Sequence, residues 1–246
     1  MKKILVALLL CSLLYVTPAY AINLSSCRYE EGAFSLSLPA DWILFTPDIA
    51  DEDPNLSIMD TNGETLRNKM LENNVVFNSV YPDLSQEVTV SWFKNIRSRV
   101  TFDYNILQPD ALSEQAQSII DHEFDGDINV PSYLSFDKYH NGQALFLRFK
   151  GVIMKGETSY AEFIQYSTVI NGNACNISLH TYGQSLTAKD EVLLQEIIDS
   201  LSFDEVLKKT ADRKITLTLI GIIVLTIFMI ASAVWSIIRY RKKMKN

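Results

Sequence analysis

The densest run of metal-ligating side chains in the sequence is residues 121–129, DHEFDGDIN. Calcium is held by six to eight oxygens on a flexible loop, with glycine where the chain turns sharply. Asp125, Asp127 and Asn129 alternate around Gly126 as part of such a loop would. The bidentate glutamate that an EF-hand needs at its twelfth position does not follow, because VPSYLSF comes next. The stretch therefore reads as a polar loop ending a helix. Asp125, Asp127 and Asn129 are its metal candidates, and no cofactor is expected.

Catalytic constellations are missing from the chain. It has no GxSxG elbow, no HExxH, no CxxC and no phosphate loop. The three histidines are His122, late in a helical pattern, His140, beside the Asn141-Gly142 turn, and His180. His180 shares the polar side of a strand pattern with Asn176 and Ser178. All three read as solvated surface residues, so no catalytic residue is assigned and the protein is expected not to be an enzyme.

Cys27 and Cys175 are the thiols that remain downstream of the N-terminal export signal described below. An exported compartment permits a disulfide between them. Such a bridge would close a loop of well over 100 residues, worth up to ~4–5 kcal/mol in the chain-entropy model. The alternative is a pair of buried thiols, since Cys175 lies on the apolar side of its strand pattern with Ile177 and Leu179. Both readings stay open on the sequence.

These residues must be positioned by a domain with export and anchor signals at its two ends. Residues 1–21 have a basic start at Lys2 and Lys3, an apolar core and the small-x-small ending Ala19-Tyr20-Ala21, which is the pattern of a secretory signal peptide. Residues 215–238, ITLTLIGIIVLTIFMIASAVWSII, contain no charge. As a helix rising ~1.5 Å per residue they would cross a hydrocarbon core of ~30 Å. A juxtamembrane linker, 208–214, precedes this run and a basic tail, 239–246, follows it. The expected arrangement is a single-pass protein in the cell membrane, with the domain 22–207 outside and the tail in the cytoplasm.

That domain carries 28 Asp and Glu against 11 Lys and Arg, a net charge of −17. A surface so acidic repels nucleic acid, which is excluded as a partner. The bilayer, and a membrane or extracytoplasmic protein, remain as partners.

Within the domain, FSLSLP alternates with Phe34, Leu36 and Leu38 on one side and ends at Pro39. Thr61-Asn62-Gly63-Glu64 fits a capping box before a helix with Leu66 and Met70 inside. VVFNSVY and QEVTVSWF flank the turn Pro82-Asp83-Leu84-Ser85, with Val88, Val90 and Trp92 opposite Glu87, Thr89 and Ser91. Asp110 is positioned to cap a second helix buried through Leu112, Ala116, Ile119, Ile120 and Phe124. Two hairpins follow, turning at Asn141-Gly142 and at Asn171-Gly172-Asn173. A third helix starts at Thr187 and buries Leu193, Leu194, Ile197, Ile198 and Leu201. Hairpins with interposed helices predict an α+β fold, a mainly antiparallel sheet with about three packed helices.

FSLSLPADW, at 34–42, resembles the entry strand of the PsbP-like/DcrB-like superfamily, whose pattern is F-x-h-x-h-P-x-x-W with h apolar. LLQEIIDSLSF, at 193–203, resembles its closing helix and strand. The central MLENNVVFNSVYPDLSQEVTVSWFKN resembles the helix and hairpin of exported, membrane-anchored bacterial members. The resemblance spans most of 26–204 and implies a PsbP-like α/β/α sandwich. It also implies an accessory or membrane-attached role more often than catalysis. The shared positions are core positions, so no functional residue is carried over.

The expected function is a membrane-anchored extracytoplasmic binding or scaffold module without catalytic activity. One alternative is a small-ligand or cation sensor acting through a partner protein. The other is a hydrolase with a dispersed acidic site.

Overall fold

The computed structural model describes residues 22–121 and 128–207. The strands form two antiparallel sheets. β1 (Leu24–Tyr29), β2 (Phe34–Pro39) and β10 (Ser202–Phe203) make a small sheet with β2 in the middle. The large sheet has seven strands in the order β3-β4-β5-β9-β8-β7-β6. These are β3 (Ile43–Phe45), β4 (Val75–Val80), β5 (Gln86–Phe93), β6 (Ile128–His140), β7 (Leu145–Lys155), β8 (Thr158–Ile170) and β9 (Asn173–Tyr182). Each hairpin read from the turn residues is present. The β5–β9 pairing, between segments nearly half the domain apart, is what joins them into one sheet.

Four α-helices occur among the described residues: α1 (Gly63–Glu72), α2 (Ile96–Thr101), α3 (Pro109–Ile120) and α4 (Ala188–Ser200). Three were expected; the short α2 was not. The caps also differ from expectation. α1 is capped by Asn62, whose side chain accepts from the Thr65 amide at 2.8 Å, and not by a Thr61–Glu64 box. α3 starts after Gln108 with Pro109 in its first turn, where a missing N–H costs nothing, and Asp110 lies inside the helix. α4 does begin at Thr187, which exchanges hydrogen bonds with Asp190.

Period-2 alternation gives the large sheet two unlike faces. The closed face carries Val88, Val90, Ile164, Tyr166, Cys175, Ile177 and Leu179, packed under β2 and the Leu194–Ile197–Ile198 stripe of α4. On the open face, α1 covers one corner with Leu66 and Met70 beside Val80. α3 covers the opposite corner with Leu112 and Ala116 against Leu147, Phe149 and Val169. The two helices leave the middle of that face uncovered. None of the described helices is long and apolar enough to cross a membrane. Residues 1–21 and 208–246, with the signal, linker, span and tail read from them, lie outside the described residues.

Candidate functional site

The uncovered strip of the open face is a polar ladder. Cross-strand pairing places Glu87 opposite His180, Thr89 opposite Ser178 and Ser91 opposite Asn176. The polar halves of two separately read alternations therefore meet. Above them lies a hollow of about 550 Å³, within the usual range for small-molecule sites. Met59, Leu66 and Met70 wall it on the α1 side, and Tyr133, Ile153 and Phe163 wall it on the other.

Three side chains organise its floor. Tyr182 OH donates to Glu87 Oε1 at 2.6 Å. His180 Nδ1 lies 3.3 Å from the same oxygen, within ion-pair range but with no hydrogen bond along that line. Phe163 meets the imidazole edge-on, with ring centres 5.7 Å apart. Burial pushes the Glu87 carboxyl up, but the adjacent His180 imidazole, with Tyr182 and Asn78, outweighs it and holds the group below its ordinary value. Burial, reinforced by the Glu87 charge, raises the Tyr182 phenol well above its ordinary value. The carboxylate is thus a fixed negative point on the floor.

His180 corrects the sequence reading. Its side chain is 17% exposed, beside a carboxylate and two aromatic rings, and it is not a solvated surface residue. Its strand partner is 93 residues away in the chain, so local alternation could show only that it shares a face with Ser178. His140 is where the turn put it, at the exposed end of β6, accepting the Gly142 amide at 2.9 Å.

His122, Asp125 and Asp127 lie outside the described residues, and Asn129 enters β6 with its side chain outside them. Among the described residues, no group of three His, Cys, Asp or Glu side chains is arranged to hold a metal ion. A second hollow of about 580 Å³ opens beside β1 and β4, floored by Phe77 and Trp92. Its rim carboxylates have local partners. Tyr29 OH donates to Glu31 at 3.1 Å, and the Thr46 hydroxyl donates to Asp48.

Cys27 and Cys175 are both free thiols in this structure. Cys175 is fully buried, and that burial pushes its thiol up to about 12. Cys27 is half-buried at the edge of the same core, its thiol also raised by burial. A thiolate is the reactive species, and both exposure and thiolate fraction favour Cys27. Iodoacetamide at neutral pH is expected to modify Cys27 in the folded protein and Cys175 only after denaturation, as read by peptide mass spectrometry. Protection of both until a reductant is added would show a bridge instead.

No family model and no curated protein matches the sequence. Similarity to solved structures is found with 8–16% identity. The cyanobacterial PsbP protein (CyanoP) of Synechocystis sp. PCC 6803 overlaps 76% of this chain and 95% of its own, with 8% identity and a TM-score of 0.44. A protein from Bacteroides thetaiotaomicron overlaps 75% of this chain, which spans 48% of that one, with 16% identity and a TM-score of 0.35. A variant of the protein Mog1 overlaps 73% of this chain and 95% of its own, with 10% identity and a TM-score of 0.32.

Proposed function

We propose that the protein is a membrane-anchored extracytoplasmic binding module, without a catalytic role, that holds a small ligand in the trough over β5 and β9. The observation that carries this reading is the polar ladder beneath an open hollow with apolar walls. A sheet face that only needed covering would be apolar, as the closed face is. Here Asn78 Oδ1 and His180 Nδ1 are buried without a hydrogen-bond partner among the described residues. Unpaired buried polar atoms cost about 1–3 kcal/mol each. Such a cost is expected where a ligand completes the pairing. The ligand class that fits has hydrogen-bonding groups for the floor and an apolar flank for Met59, Met70, Ile153 and Phe163.

The non-catalytic reading is supported by the composition of the trough. Its lining residues include one carboxylate, Glu87, already engaged by Tyr182, and acid–base hydrolysis by paired carboxylates needs two. The anchoring and orientation are supported by the charge-free run 215–238 and the export pattern of 1–21. The acidity of the domain favours cationic or neutral ligands and disfavours nucleic acid.

The test is native mass spectrometry of the full-length protein extracted from membranes. A retained small molecule is expected with the wild type and not with Ser178→Trp, which fills the floor. Thr89→Met, a smaller intrusion, should weaken retention while circular dichroism stays unchanged. A wild-type protein that carries nothing, or a ligand that both variants keep, overturns the proposal. Conversion of the retained molecule on incubation would instead favour the hydrolase.

A further inference from the structure

α2 is built the wrong way round for a surface helix. Such helices turn apolar residues to the core and polar ones to water. α2 instead buries Ser98 and Thr101, at 1% and 7% exposure, and turns out Ile96 and Val100, at 82% and 70%. It is not a frayed segment. Asn95 and Ser98 cap its start reciprocally, at 2.7 and 3.0 Å. Ser98 Oγ also donates to Gly172 O at 2.9 Å, and Gly172 N donates to Phe102 O at 2.8 Å. Gly172 has φ +75°, a left-handed backbone conformation that glycine adopts without strain. The helix is thus fastened to the β8–β9 turn by its polar side.

The exposed side is also basic. Lys94, Arg97 and Arg99 fall within six positions of a domain that has 11 basic residues against 28 acidic ones. Arg28, Arg67, Arg148 and Lys150 are held in ion pairs, and none of the ion pairs among the described residues includes Lys94, Arg97 or Arg99. An apolar pair ringed by cations is the composition that binds a membrane interface: apolar side chains enter the headgroup layer and cations meet anionic lipid.

The position agrees with the composition. Asn171, in the same β8–β9 turn, donates its side-chain amide to Glu205 O at 2.7 Å. α2 and the last residues of the domain therefore share one end of the sheet. Ile215, the first residue of the charge-free run, is ten residue steps beyond Glu205. Extended chain covers at most ~3.5 Å per residue, so that end cannot stray more than ~35 Å from where the run begins.

We propose that α2 is a membrane-surface contact, with Ile96 and Val100 entering the headgroup layer and Lys94, Arg97 and Arg99 on anionic headgroups. This rests on the anchored reading of residues 215–238. The contact would fix how the domain stands. β9 runs away from the α2 end at ~3.3 Å per residue, so the His180 end of the trough would be held roughly 20–25 Å above the bilayer, open to solvent.

The test uses the full-length protein with Cys11 and Cys27 changed to serine, carrying an NBD fluorophore at Ile96→Cys or, as a comparison, at Val192→Cys. Val192 is 52% exposed and lies near the start of α4, which follows the far end of β9. The protein is reconstituted into phosphatidylcholine vesicles with or without phosphatidylglycerol. At position 96 the emission should move to the blue in anionic vesicles. Quenching there by brominated lipid should be roughly two- to three-fold stronger than in phosphatidylcholine alone, and should weaken in high salt. Position 192 should report water in both. Combined Lys94→Glu, Arg97→Glu and Arg99→Glu changes should abolish the signal at 96. A protein that resists alkaline extraction from the vesicles while position 96 reports water overturns this inference and leaves the anchor intact. A protein stripped by alkali overturns the anchor and the inference with it. A blue shift already present in detergent without lipid assigns the face to a protein contact and overturns the lipid proposal.

Discussion

Phe34→Ala should lower the unfolding free energy by about 3–5 kcal/mol, the upper part of the range for core truncations. Phe34 is fully buried in the central strand of the small sheet. It stands directly opposite Tyr29 on one side and Phe203 on the other. Its ring centre lies 5.5 Å from Tyr29, 5.9 Å from Phe203 and 5.2 Å from Trp92 of the large sheet. Truncation therefore removes three aromatic contacts, each worth about 0.5–1.5 kcal/mol beyond area burial, and opens a void between the two sheets. Domains are stable by only about 5–15 kcal/mol, so the loss is a large share of the total. Denaturant unfolding of the detergent-solubilised protein, followed by tryptophan fluorescence, measures it, and Trp92 reports from the damaged site. Leu44→Ala, at an exposed position in β3, should change stability by less than about 0.5 kcal/mol. Equal effects of the two would mean that the sheets are not joined through Phe34.

The same residue shows what can be read from sequence. Phe34, Leu36 and Leu38 alternate with serines and end at a proline, and local physics alone makes that a one-sided strand. The hairpins were legible for a similar reason, because turn residues act over a few positions. The candidate site was not. Glu87, Thr89 and Ser91 were seen as the polar side of one strand, and Asn176, Ser178 and His180 as the polar side of another. Alternation cannot distinguish a polar face in bulk water from one walled by a helix on one side and by side chains of neighbouring strands on the other. That difference depends on the β5–β9 pairing and on where α1 and the strands β6–β8 sit, and both are long-range facts. α2 escaped for the opposite reason. Its apolar residues point outward, so a search for a buried stripe finds nothing to place there.

Glu87→Leu should cost about 2–4 kcal/mol at pH 7 and less in acid. Removing the carboxylate leaves the Tyr182 hydroxyl and the Asn78 amide short of an acceptor, at about 1–3 kcal/mol for each buried group left unpaired. Glu87→Gln keeps an acceptor oxygen and should cost less. The pH dependence follows from the direction of the shift. Glu87 is held below its ordinary value in the folded protein. Its contribution is therefore fully present above the ordinary carboxylate value of ~4.3 and is lost as pH falls through the lower, folded-state value. The stability gap between wild type and Glu87→Leu should accordingly be full above the ordinary carboxylate value and narrow progressively as the pH falls below it. A gap that instead opened in acid would reverse the sign and refute the assignment of the shift. A buried polar set replaced whole by apolar groups can be neutral or stabilising, whereas removing one member is not. Combining Glu87→Leu with His180→Leu and Tyr182→Phe should therefore recover most of the stability lost by Glu87→Leu alone. If the trough holds a ligand, the triple variant should still fail to retain it. Stability regained without retention would place Glu87, His180 and Tyr182 in binding, and regained retention would place them in the architecture of the sheet alone.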